Sequence, residues 1–183
     1  MATIMNSQLC VQLFVAISMF SLCNAAVTKL WVTYNTETSI FEVSDQQATD
    51  YVAVASFVNT VNQTGWAKLD VTTQAGPKRK YNDSVQAYAA GFVEGHITKS
   101  LMTMHWANTG AWVCPEPLTS QCIQIKKFLE SNLKWVLENI KTFSTTSPFW
   151  HHVRLFLEQT AGLQDGFAGM KGQLNLNIDV MSV

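Results

Sequence analysis

The segment from Tyr81 to Trp106 limits the fold of this chain more than any other part of the sequence. It reads YNDSVQAYAAGFVEGHITKSLMTMHW, and from residue 84 onward only two of its side chains carry a formal charge. A helix that is apolar nearly all round is buried rather than amphipathic. Yet this one contains Gly91 and Gly95, each of which should cost about 0.5–1 kcal/mol relative to alanine. With Ala87 they form a stripe of small residues, so we predict that another backbone packs closely against this stripe.

Glu94 is an acid within this otherwise apolar helix. Its carboxylate should be paired or hydrogen-bonded, because an isolated charge is costly in apolar surroundings. A catalytic carboxylate would fit this description. A structural acid, satisfied by backbone donors or a nearby cation, fits it better. We therefore treat Gly91, Glu94 and Gly95 together as a structural signature.

Strands are predicted before this helix, over residues 29–73. The segments TKLWVTYN, SIFEV, YVAVASFVN and WAKLDVTT are rich in β-branched and aromatic residues, and polar turns separate them. YVAVASFVN is apolar on both faces, which is typical of a buried strand. The turn VNQTG is short enough to join it to WAKLDVTT as an antiparallel hairpin.

Three helices are predicted over about residues 84–161. Asp83 is the expected N-cap of the first, and Gln86 follows three positions later in a capping-box pattern. In the second, apolar residues recur at helical spacing from Cys122 to Ile140, while lysines and glutamates occupy the other side. This pattern is typical of a surface helix with one buried face.

The third helix should begin at Ser147 and Pro148, because a serine N-cap followed by a first-turn proline is a strong start signal. It should run to about Ala161 and stop at Gly162. A final strand is predicted over about residues 173–181, where QLNLNIDVM alternates apolar and polar residues. The fold class is therefore α+β, with strands first and three helices after them.

The amino terminus has the pattern of a secretory signal peptide. The first 25 residues contain no acidic or basic side chain, and the apolar run from Leu9 to Leu22 is followed by small residues at Cys23 and Ala25. That run is shorter than the ~20 residues of a membrane span, which disfavours the alternative of a retained membrane anchor. We predict cleavage after residue 25, no transmembrane span, and a secreted or lysosomal protein.

Two cysteines remain after cleavage, Cys114 and Cys122. An even pair in an oxidising route favours a disulfide across the loop PEPLTSQ. The alternative, a catalytic thiol, has no support in the spacing. Two sequons begin at Asn62 and Asn82, where loops are predicted, and the secretory route makes both candidate N-glycosylation sites.

No short motif in the sequence indicates a catalytic centre. It has no glycine-rich phosphate loop, no G-x-S-x-G and no H-E-x-x-H. Its histidines do not share a helix face, so a metal site would need distant partners, and we expect no metal and no cofactor. The histidines are His96, His105, His151 and His152.

The composition also limits the possible partners. Twelve basic residues nearly balance thirteen acidic ones, so nucleic acid is not expected as a partner. The aromatic side chains near the helix ends are more typical of a core than of a ligand cage. They are Trp106, Trp112, Phe149 and Trp150.

Five segments, taken in order, closely resemble the amino-terminal part of the phospholipase B-like family, the lamina-ancestor-type proteins. They are TGWAKLDVTT, VQAYAAGFVEGHIT, MHWANT, CPEPLTSQC and PFWHHVRLFLEQTAGLQDGF. The similarity covers the chain from about Trp31 to about Gly169. From about Met170 onward the sequence differs from the family pattern.

The resemblance implies an αββα sandwich of the N-terminal-nucleophile hydrolase type, of which residues 26–183 would be the amino-terminal portion. Family members are secretory or lysosomal glycoproteins that are made as precursors and cut internally, and a new amino-terminal cysteine attacks ester or amide bonds. The expected partners are therefore a phospholipid, or a related lipid or amide substrate, and the carboxy-terminal remainder of the precursor.

The resemblance supplies no catalytic residue for this chain. Cys114 and Cys122 match the family's disulfide loop, and the family's nucleophile has no counterpart here. We therefore expect a truncated form of the hydrolase that is inactive by itself. The alternative is a non-catalytic secreted short isoform with a binding or regulatory role.

Overall fold

The computed structural model describes residues 26–179, except residues 75, 78, 111–113 and 116. The predicted signal peptide, residues 1–25, lies outside the described residues. Four strands precede three long helices, which confirms the predicted α+β class. The strands are β1 Val27–Asn35, β2 Ile40–Ser44, β3 Ala53–Thr60 and β4 Trp66–Thr73, and the helices are α1 Asp83–Thr109, α2 Ser120–Phe143 and α3 Pro148–Ala168.

The strands form one antiparallel sheet in the order β2-β1-β3-β4. The predicted hairpin is β3–β4, in which Phe57 lies opposite Leu69. A four-residue helical turn, Val61–Thr64, connects the two strands, and Gly65 closes it at a φ of 80° that favours glycine. Alternate residues of β3 are buried and half-buried, as expected for a strand with neighbours on both sides.

The core lies between this sheet and α1. Val32 and Phe41 contribute from the strands, and Tyr88, Phe92 and Val93 contribute from the helix. Only the first half of α1 is buried, since the residues described beyond Gly95 are exposed or half-buried. The prediction that the whole helix is buried is therefore wrong for its second half.

The helix boundaries differ from prediction at two places. The N-cap of α1 is Asn82 rather than Asp83, since the Asn82 side chain accepts a hydrogen bond from the Val85 amide. The third helix does not stop at Gly162 but continues to Ala168 and ends at Gly169, whose φ is 71°. Gly162 is inside the helix, and glycine is needed there because the position lies against the backbone of α1, where a side chain would not fit.

The predicted final strand does not form over residues 173–179, the part of it that the structure describes. A single antiparallel bridge joins Gly172 to Phe41 of β2, and no ladder follows it. Side chains bind the backbone amides that a ladder would need: Gln173 N donates to the Tyr88 hydroxyl, and Asp179 N donates to Gln164 Oε1. The alternation of apolar and polar residues correctly predicts only which side chains of this segment contact the core. Leu174 and Ile178 are the apolar residues that pack against it.

Candidate functional site

The predicted stripe of small residues on α1 lies against the backbone of α3. A β-carbon added to Gly91 would lie 2.9 Å from the Leu163 amide nitrogen and closer still to the Gln159 carbonyl oxygen. One added to Gly95 would lie 2.8 Å from the Phe167 nitrogen and closer still to the Leu163 oxygen. The close approach of another backbone, predicted from the sequence, is thus confirmed.

Helix α3 contributes its own pair of glycines to this contact. A β-carbon on Gly162 would lie 3.0 Å from the Phe92 amide nitrogen, and one on Gly166 would lie 3.0 Å from the His96 nitrogen. Residue numbers rise together along both helices, so α1 and α3 run parallel. At this spacing the Cα hydrogens of the glycines meet the carbonyl oxygens of the facing helix.

A buried tyrosine joins the helix pair to the segment that follows α3. The Tyr88 hydroxyl donates to Asp165 Oδ2 and accepts from the Gln173 amide at 3.0 Å. Asn175 Nδ2 also donates to Asp165 Oδ2, at 2.9 Å. Burial, followed by the hydrogen bond to Asp165, raises the pKa of Tyr88 far above its usual value. We call Tyr88, Asp165, Gln173 and Asn175 the tyrosine cluster.

The residue patterns of the sequence do not predict the tyrosine cluster. Tyr88 was one apolar position among many, and Asp165 lay in GLQDGFAG, a segment that contains three glycines. A signal was nevertheless present, because a tyrosine in a buried helix usually has a hydrogen-bond partner.

Three ionic contacts lie at the amino-terminal end of α1 and within α3. Asp83 accepts from Arg79 at 2.5 Å and lies 3.2 Å from His151 Nε2. Arg154 Nε donates to Glu158 Oε1 at 2.8 Å. Glu158 is buried, and its second oxygen, Oε2, has no hydrogen-bond partner within the described residues. The Glu158 carboxylate therefore depends on Arg154 for its compensation.

The structure joins Cys114 to Cys122 by a disulfide, with 5.7 Å between their Cα atoms. Cys122 is buried in the first turn of α2, where its amide donates to the N-cap side chain of Thr119. The bridge therefore fixes the incoming loop to the beginning of α2. While it is intact, neither sulfur can serve as a nucleophilic thiolate.

The two sequon asparagines are exposed, but they differ in their local structure. Asn62 lies in the helical turn between β3 and β4, far from the helix pair in the sequence. Asn82 uses its side-chain oxygen as the cap of α1, which leaves its nitrogen, the atom that carries an N-linked glycan, outside that bond. Glycosylation of both residues remains a prediction.

The carboxylate of Glu94 does not have the predicted partner. The residue is half-buried, and its side chain makes no hydrogen bond or ion pair with the part of the chain that the structure describes. Water at the exposed side of α1 can satisfy this carboxylate instead. Among the described residues, the Glu94 side chain therefore belongs to no polar cluster and has no hydrogen bond to the residues around the disulfide.

The histidines are also dispersed. His151 contacts Asp83 and the ring of His152, whereas His96 and His105 lie on the exposed part of α1. Among the described residues, no three His, Cys, Asp or Glu side chains come together as potential metal ligands. Within the same described residues, no helix has the length and apolar character that a membrane crossing requires.

Two of the four aromatic residues that were expected in a core are at the surface. Phe149 and Trp106 are exposed and Trp150 is half-buried, while Trp112 lies outside the described residues. A cleft of about 610 Å³ lies between α2 and the segment after α3, and Leu137 and Ile178 are among its lining residues. None of the residues singled out from the sequence lines this cleft.

Comparison with known proteins identifies the family. The model of the phospholipase B family matches residues 53–183. The match therefore includes the residues after Met170, where the sequence was expected to differ from the family pattern, and it begins later than Trp31.

Individual relatives give the same result. Phospholipase B-like 2 of Mus musculus is 43% identical over 122 residues, which are 66% of this chain and 20% of the mouse protein. The human protein of that name is 42% identical over 127 residues, 68% of this chain and 21% of the relative. Human phospholipase B-like 1 is 29% identical over 141 residues, 76% of this chain and 24% of the relative. The chain thus spans about a fifth of the length of the first two relatives, and it belongs to the phospholipase B family.

Proposed function

We propose that this chain is the amino-terminal portion of a phospholipase B-like hydrolase of the secretory or lysosomal route, and that it does not itself supply the nucleophile. The family match over residues 53–183 supports the hydrolase class. The disulfide is the observation that supports the absence of a nucleophile from this chain, because both Cys114 and Cys122 form it. A cysteine-dependent cleavage of an ester or amide would need a free thiolate and donors for the oxyanion.

The partner that completes the site is, on this proposal, the carboxy-terminal remainder of a longer protein. Among the residues that the structure describes, β2 and β4 each have one edge without a neighbouring strand, and a single bridge joins β2 to Gly172. The face of the sheet away from α1 carries half-buried apolar residues, among them Val54 and Val58. Open edges and a partly apolar face are suited to further strands and a second sheet.

A lipid assay tests the proposal. The chain, expressed through a secretory route, is incubated with phosphatidylcholine, and released fatty acid is measured with and without a reductant that opens the disulfide. We expect no release in either condition from the wild type or from the Cys114→Ser variant. Release that disappears in Cys114→Ser but persists in Cys122→Ser would show that Cys114 is a nucleophile, contrary to the proposal.

The second candidate is a non-catalytic secreted short isoform with a binding or regulatory role. It is favoured by the core between the sheet and α1, where Val32, Tyr88 and Val93 are buried by other residues of this chain. The transcript downstream of Val183 separates the two candidates. A reading frame that continues to a cysteine nucleophile supports the hydrolase. A stop codon directly after Val183 in a stable transcript, with secretion of the encoded protein, supports the short isoform.

A further inference from the structure

We draw no further inference here: the strongest candidate, the group of exposed aromatic side chains on α2 and α3 that comprises Phe128, Trp135, Phe149 and Phe156, belongs to a chain that spans about a fifth of the length of two relatives, and nothing in the described part of the structure shows what covers this surface.

Discussion

The Gly95→Ala substitution tests the central packing feature of this fold. In an ordinary exposed helix, replacing glycine by alanine stabilises by about 0.5–1 kcal/mol. At Gly95 the added carbon would lie 2.8 Å from the Phe167 nitrogen and closer to the Leu163 oxygen, and both are backbone atoms that no rotamer change can move. The helices must therefore separate along their whole contact, which removes close contacts on both sides.

We expect the loss from this separation to exceed the helical gain. Overpacking of a tight contact costs about 1–3 kcal/mol, and separation along two full helices belongs at the upper end of that range. We therefore expect Gly95→Ala to lower the free energy of unfolding by about 2 kcal/mol after the helical gain is subtracted. Urea unfolding followed by circular dichroism measures this change.

Two further variants make the test specific. Ser100→Ala lies on the exposed part of the same helix and should change the free energy of unfolding by only a few tenths of a kcal/mol. Gly91→Ala combined with Gly95→Ala should cost less than the sum of the single changes, because the first substitution already separates the helices. A stabilising Gly95→Ala, or fully additive costs, would refute the close-packing explanation.

Three further predictions concern individual side chains. The raised pKa of Tyr88 means that wild-type stability is intact below about pH 10 and falls above it by about 1.4 kcal/mol per pH unit. Tyr88→Phe should reduce this alkaline loss of stability, which unfolding measured as a function of pH will show. Arg154→Met should cost about 2–4 kcal/mol in urea unfolding by leaving a buried carboxylate unpaired, and adding Glu158→Gln should recover part of that cost. Asn82→Gln and Ser84→Ala should both remove one glycosidase-sensitive mass shift, but only Asn82→Gln should also lose a helix cap, worth about 1 kcal/mol in thermal unfolding.

The sequence predicts well those features that depend on periodicity and local chemistry. The four strands, the β3–β4 hairpin and the start of α3 at Pro148 all follow from residue patterns that operate over a few positions. The close approach of a second backbone at Gly91 and Gly95 could also be predicted, because few other physical reasons explain the presence of glycine inside a buried helix.

The errors arise where the same residue type can serve two purposes. Gly162 was predicted to end the third helix, although it performs the role that was correctly inferred for Gly91. Alternation in the last segment predicted a strand, but Tyr88 and Gln164 hold two of the amides that a neighbouring strand would bind. These outcomes depend on which distant segment contacts a given backbone group in the folded protein, and a local pattern does not contain that information.

The glycine contact has a consequence for the alignment of α1 and α3 along their axes. Glycines recur every four residues on both helices, so a slip of one turn would again place glycine against backbone over part of the contact. Such a slip moves one helix by about 6 Å, which is far beyond the reach of a hydrogen bond. The contacts of Tyr88 with Asp165 and of Asp83 with His151 therefore exclude the slipped pairing. The small residues determine how near the helices come, and these two polar pairs determine which turn meets which.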